Sequence, residues 1–169
     1  IQAFNTLDSS NTVQVTRDVQ CFNACDAIAT LSSVGGGLPH TYNWDIGQVG
    51  YFMPDTVTGL CAGGHNIIIE DQVGCRKTVY YQISQPDELF ANAQVVDYWS
   101  YNGVNSPTGH VQCFGFDNGV AHATATGGTP GYSFDWDSYS QLGQNAINLT
   151  PGTHIINVID QEGCTASDT

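Results

Sequence analysis

An all-β fold of two tandem immunoglobulin-like sandwiches is predicted by three features of this 169-residue chain. The chain repeats itself, its apolar residues alternate in short runs between turn residues, and each copy carries one tryptophan at the same place. The repeat is the strongest of these, because a fixed internal period marks an array built from one domain type. Val19-Gln20-Cys21-Phe22 returns as Val111-Gln112-Cys113-Phe114, and from Val19 to Asp45 the copies align without a gap at an offset of 92, with nine of 27 positions identical. The match resumes from Leu60 to Cys75 against Leu149 to Cys164 at an offset of 89, with eight of 16 identical.

Taken in order, the elements follow one plan twice. The chain opens in what reads as a strand, Ile1 to Leu7, and the offset of 92 sets Val96 and Trp99 opposite Phe4 and Leu7. Ala29, Leu31 and Ser33 in the first copy, and Ala121, Ala123 and Ala125 in the second, share one face of an alternating strand. Gly35-Gly36 and Gly127-Gly128 then turn the chain. A strand with aromatics on one side follows, Tyr42 and Trp44 or Phe134 and Trp136. Gly63 and Gly152 open a late strand whose inward residues are His65, Ile67 and Ile69, or His154, Ile156 and Val158. Each late strand ends in Asp-x-x-Gly-Cys, Asp71 to Cys75 and Asp160 to Cys164, where Asp first and Gly fourth suit a type I turn. Helical spacing is absent throughout. About seven short strands and a Trp per copy predict the immunoglobulin-like sandwich. Pro86 and the acids beside it interrupt the pattern, so the modules are placed at 1–88 and 89–169, the second ending before its closing strand.

A module this small buries little core and often needs a covalent staple. Six cysteines allow fifteen pairings, and the repeat reduces them. Cys21 and Cys75 have counterparts in Cys113 and Cys164, so parsimony pairs Cys21 with Cys75 and Cys113 with Cys164. Cys25 and Cys61, replaced by Asp117 and Thr150 in the second copy, form the remaining pair. No CxxC spacing supports zinc. Regular disulfides imply an oxidising, extracytoplasmic setting.

The net charge is −13, from 16 acidic and 3 basic residues. Arg17, Arg76 and Lys77 all lie in the first copy. Nothing neutralises phosphate, which argues against nucleic acid and anionic membrane surfaces as partners. No apolar run is long enough to span a membrane as a helix.

These residues together resemble the SprB repeat of gliding-motility adhesins of the Bacteroidetes. The resemblance is carried by Cys21, Gly35-Gly36, Tyr42, Trp44, Gly63, Asp71, Gly74, Cys75 and Ile83-Ser84-Gln85-Pro86. The second copy repeats it in Cys113-Phe114-Gly115, Gly127-Gly128, Phe134, Trp136, Pro151-Gly152, Asp160, Gly163 and Cys164. His65 and His154 depart from it, standing where the family usually has Tyr. The resemblance implies a segment of a large secreted adhesin on the bacterial cell surface, associated with the outer membrane and exported by the type IX pathway. Its implied partners are neighbouring repeats of the same chain and the secretion and motility machinery. Such a segment acts as a stalk or adhesive array without catalysis. The competing function is a carbohydrate-binding or spacer module of a secreted multidomain enzyme.

Candidate chemistry is sparse. His65 and His154 fall in different modules and read as packed core histidines rather than a shared metal site. His40, His110 and His122 have no repeat partner and read as surface residues. No GxSxG elbow occurs. Asp135 and Asp137 flank Trp136 on one strand and are the candidate calcium ligands, since Ca²⁺ takes hard oxygen donors. No DxDxDG loop supports them, and no cofactor is otherwise implied. Tyr98 and Tyr101, beside Trp99, are the candidate contacts to surface polysaccharide or other glycans. Asn148-Leu149-Thr150 is a formal glycosylation sequon, and Asp55-Thr56-Val57 resembles the O-glycosylation motif of the same bacterial group, which makes Thr56 and Asn148 candidate modification sites.

Overall fold

A computed structural model of the chain describes residues 11–45, 49–51, 56–96, 117–136 and 141–169. The chain divides into two compact units, Ile1–Gln85 and Pro86–Thr169. Hydrogen bonds explain why the division falls there. Ser84 O accepts from Val19 N at 3.1 Å and Gln85 Oε1 from Asn23 N at 3.1 Å, both within the first unit. Asp87 O accepts from Gly128 N at 2.9 Å, which ties Asp87 to the second.

Both units are all-β. In the first, β1 (Thr12–Arg17), β2 (Ala27–Ser32) and β5 (Thr56–Leu60) form a sheet ordered β1-β2-β5. The other sheet contains β3 (Thr41–Trp44), β4 (Val49–Tyr51), β6 (Gly63–Glu70) and β7 (Arg76–Ile83), ordered β4-β3-β6-β7. In the second unit, β8 (Phe90–Val96), β9 (Gly119–Thr126) and β12 (Asn145–Leu149) form the smaller sheet. Its larger sheet is ordered β11-β10-β13-β14, from β10 (Ser133–Trp136), β11 (Gln141–Leu142), β13 (Ile156–Ile159) and β14 (Thr165–Asp168). Among the described residues, seven strands in two antiparallel sheets, joined in the same order twice, make two immunoglobulin-like sandwiches.

The period of two explains which residues meet in each core. In the first unit Ala27, Ala29 and Leu31 of β2 pack with Trp44, Val57, Leu60, Ile67, Ile69 and Ile83. In the second, Ala121 and Ala123 of β9 pack with Phe134, Trp136, Ala146, Leu149, Ile156 and Val158. Gly127 and Gly128 have φ of 73° and 58°, a left-handed backbone that L side chains avoid. Space forbids a side chain as well, since a Cβ on Gly127 would stand 1.8 Å from Glu88 O.

Four expectations change. The first strand of the second unit is β8, where Val95 pairs with Ala121 as Val15 of β1 pairs with Ala29. The offset there is therefore 80 (95 − 15), not 92, and Val96 has no Phe4 counterpart in that register. Between the described strands β8 and β9 stand 22 residues of sequence (97–118), against nine (18–26) between β1 and β2. A gap-free alignment cannot reveal an insertion beside it. The expected strand at Ile1 to Leu7 lies outside the described residues. Second, a strand follows the Asp-x-x-Gly-Cys turn of the second unit, four residues long against the eight of β7. Thr165–Asp168 pairs with β13 from Ile159↔Thr165 to Ile156↔Asp168, and Asp168 Oδ2 accepts from Ala93 N at 2.7 Å. Third, the late strand of that unit starts at Ile156, four residues after Gly152. Fourth, His40 is buried rather than on the surface, edge-on to Tyr42 with ring centroids 6.3 Å apart and Nδ1 3.4 Å from Ser33 Oγ.

Candidate functional site

The residues that recur between the copies converge on two places in each unit. One is the Asp-x-x-Gly-Cys turn after the late strand. Asp71 Oδ1 accepts from Val73 N at 3.0 Å and Cys75 N at 2.8 Å, and Oδ2 from Gly37 N at 3.3 Å. Asp160 repeats the set: Oδ1 accepts from Glu162 N and Cys164 N, both at 2.9 Å, and Oδ2 from Thr129 N at 2.8 Å. The main chain closes each turn identically, with Gly74 N donating to Asp71 O at 3.0 Å and Gly163 N to Asp160 O at 3.1 Å. Both aspartates are buried. The carboxylate therefore joins the late turn to the Gly-Gly loop of its own unit, a role beyond shaping a turn.

Burial works against ionisation of Asp71, but the N–H groups of Cys75, Gly37 and Val73, with His40 nearby, outweigh it and hold the carboxyl below its ordinary 3.8. A lowered folded-state value makes the ionised form stabilising. That contribution is complete above pH 3.8 and is lost as the pH falls through the folded value below it. An acid titration of thermal stability will therefore be shallower for Asp71→Asn than for the unaltered chain; parallel curves would refute the assignment. In the second unit, Asp160→Ala strips three N–H donors in part-buried hydrogen bonds of their acceptor. At about 1 kcal/mol each the loss is about 3 kcal/mol, which lowers the melting temperature of a unit this size by more than about 10 °C. A fall of a degree or two would show that water replaces the carboxylate without cost.

The second place surrounds the repeated histidine. His65 Nε2 donates to Cys61 O at 2.9 Å, and His154 Nε2 to Thr150 O at 2.9 Å, the equivalent carbonyl. His65 Nδ1 stands 3.0 Å from Asp45 Oδ2, and Asp45 Oδ2 also accepts from Asn66 N at 3.2 Å. The ring stacks on Tyr81, centroids 5.5 Å apart, and Tyr81 meets Trp44 edge-on at 5.9 Å. Both ring nitrogens of His65 are thus engaged within the fold. Asp45 was visible in the sequence only as an identity between the copies, and Tyr81 not at all, because no spacing rule links strands 20 residues apart.

Burial, with the charge of Asp45 adding to it, pushes the Tyr81 phenol up to about 12 from its ordinary 10.0. A raised value means the protonated form stabilises, fully so below pH 10 and progressively less as the pH rises toward 12. The Tyr81 hydroxyl is buried with no hydrogen-bond partner among the described residues, so Tyr81→Phe discards nothing at neutral pH. The variant will match the parent's melting temperature at neutrality and exceed it in alkali; a loss at neutral pH would reveal a partner for the hydroxyl.

The cysteines depart from the expected scheme. Cys25 and Cys61 form a disulfide, but Cys75 is free and exposed, so the bridge from Cys21 to Cys75 is not made. The reason is distance. Cys75 precedes β7, whereas the Cys21 turn is held at the other end of that strand by the bond from Val19 to Ser84. Nine strand residues span about 30 Å, and a disulfide needs Cα atoms within about 7 Å. Cys21 and Cys164 are each disulfide-bonded. Cys113 lies outside the described residues.

The remaining candidates are scattered. Asp135 is exposed on β10, cross-strand from Leu142 and Asn157, while Asp137, Tyr98, Tyr101 and His110 lie outside the described residues. Among those described, no group of three or more His, Cys, Asp or Glu side chains gathers where it could hold a metal ion. Thr56 opens β5 half-buried, its hydroxyl 3.3 Å from that of Thr30. Asn148 is exposed at a bulge of β12 with φ of 58°.

Residues 107–140 match the family model described as SprB repeat. The match falls within the second unit and supports a SprB-type repeat there. The matched stretch runs from the long β8–β9 connection through β9, the Gly-Gly loop and β10, ending just past Trp136. The first unit reaches the same repeat only through its internal identity with the second. No curated protein matches the chain. Among solved structures, a C-terminal 282-residue fragment of intimin, in complex with the intimin-binding domain of the translocated intimin receptor, aligns over 95% of this chain and 63% of its own, at 14% identity and a TM-score of 0.44. A structure described as a basis for Dscam isoform specificity aligns over 94% of this chain and 45% of its own, at 12% identity and a TM-score of 0.32. The chain thus spans less than two thirds of either. The SprB repeat, the sandwich fold and the disulfides are consistent with a surface or extracellular protein and with a module that does not catalyse.

Proposed function

We propose that this chain is a segment of a large adhesin of the bacterial cell surface, serving gliding or attachment and exported by the type IX pathway. In this reading the two sandwiches are structural modules of a stalk or adhesive array, and their partners are neighbouring repeats. The observation that carries it is the SprB repeat at 107–140 within a module that the chain builds twice. The recurrent polar side chains support it, since Asp71, Asp160 and His65 spend their hydrogen bonds on their own fold. This reading invokes no cofactor, and it takes Asp135 as an exposed surface carboxylate. The experiment is immunogold labelling of intact cells with antibodies to residues 1–169. Label on the outer surface, stripped by external protease, is expected; label only after lysis would end the proposal.

One observation favours a glycan contact within that role. The sequence between the described strands β8 and β9, which includes Tyr98, Trp99 and Tyr101, has 22 residues where the first unit has nine between β1 and β2. Aromatic planes stack on sugar rings, and an insertion confined to one copy is where binding would differ between modules. Binding of surface polysaccharide that is lost in Tyr98→Ala/Tyr101→Ala is the expected result. Binding that survives it would point instead to a module serving an attached enzyme through another surface.

A further inference from the structure

Two loops meet at one end of each unit, tied by the same main-chain bonds in both. In the first, Gly37 N donates to Asp71 Oδ2 at 3.3 Å and Gln72 N to Gly37 O at 3.1 Å. In the second, Thr129 N donates to Asp160 Oδ2 at 2.8 Å and Gln161 N to Thr129 O at 3.3 Å. On this shared frame the side chains differ. The first unit presents Val34, 53% exposed, with Leu38 and Val73, each 75% exposed. The second has Thr126, Pro130 and Glu162 at the matching positions. The frame therefore forms without large apolar groups there. Leu38 follows Gly37 and Val73 follows Gln72, so the bonded pair brings both side chains to one surface. Single exposed apolar residues are ordinary, whereas a cluster of them marks a contact surface. Arg76 and Lys77 open β7 at the same end, where the second unit has Thr165 and Ala166. Arg76 Nε pairs with Glu70 Oε2 at 3.0 Å, and its side chain stays 69% exposed.

We propose that this end of the first unit is a docking surface for a second copy of this chain, which meets it through its acidic second unit. Charge complementarity chooses the occupant. From Pro86 to Thr169 the chain has nine Asp and Glu and no Lys or Arg. Two of the chain's three bases, Arg76 and Lys77, stand at the apolar end of the first unit. Opposite charge steers a second copy to that end and orients it. Removing Leu38 and Val73 from water then supplies the attraction. The second unit, with Glu162 and Thr165 on the same frame, offers a further copy neither the apolar cluster nor the bases. A contact built on so few side chains is weak, and one steered by exposed charges weakens further with salt.

Docking of copies is independent of the surface reading. Labelling of cells asks where the protein is, whereas sedimentation asks whether two copies meet. Sedimentation equilibrium of the 169-residue chain, from micromolar to millimolar concentration, is expected to show a mass that climbs above the monomer and falls back as salt is added. A monomeric mass over the whole range overturns the proposal. Val34→Thr/Val73→Glu gives the first unit residues that the second already carries on the same frame, so the variant is expected to melt like the parent and to lose the association. Arg76→Thr/Lys77→Ala, again the second unit's own residues, is expected to weaken the association and remove its salt dependence. Association that persists unchanged in either variant also overturns the proposal, because another surface then carries it.

Discussion

Trp136→Ala is expected to unfold the second unit while the first stays folded. Trp136 is 2% exposed and packs with Phe134, Ile156 and Val158, and its Nε1 donates to Gly143 O at 3.2 Å. Truncating a buried tryptophan leaves a cavity and costs about 3–5 kcal/mol. Small domains have about 5–15 kcal/mol in total, with units of this size at the low end. The substitution therefore removes most of the stability this unit has. Calorimetry should show one transition displaced or missing and the other in place, because each unit has its own core. Two transitions falling together would mean that the units unfold as one body.

Replacing Cys25 and Cys61 together by serine is expected to weaken the first unit alone, by about 4 kcal/mol. The bridge closes a loop with a sequence separation of 36, and the chain-entropy model assigns about 4 kcal/mol to a loop of that length. The second unit has Asp117 and Thr150 at these positions and folds into the same seven strands without such a bridge. The double variant will therefore fold more weakly rather than differently. In urea the midpoint of the first unit should fall by more than about 1 M, with the second unit's midpoint as internal reference. A shift below a few tenths molar would mean that the reduced unfolded state is already as compact as the bridged one.

Much of the fold was legible because it rests on short-range rules. Alternation placed Ala29 and Leu31, or Ala121 and Ala123, on one face, and the period of two carried Ile67 and Ile69 inward. The paired glycines marked a turn that allows nothing larger, although the approach of Glu88 to Gly127 was not foreseeable from sequence. What was not legible depends on distances across the sandwich. Cys21 and Cys75 looked like partners because both recur, yet the full length of β7 separates them. His40 had no counterpart and read as a surface residue, while the fold encloses it beside Tyr42. The engagement of His65 by Asp45 and Tyr81 required the pairing of β6 with β7 and the turn after β3, neither fixed by local spacing. The closing strand of the second unit, Thr165–Asp168, carries no large apolar residue, so no pattern announced it.

The bridge between Cys25 and Cys61 has a mechanical side. A module strung in a surface array is pulled by its ends, and tension enters the first unit ahead of β1 and leaves it after β7. When that unit gives way, the residues between the two bridged cysteines cannot pay out, because the covalent link carries the load past them. At about 3.5 Å per residue, a separation of 36 withholds roughly 120 Å of contour. The second unit has Asp117 and Thr150 at the equivalent positions, so this particular restraint belongs to the first unit.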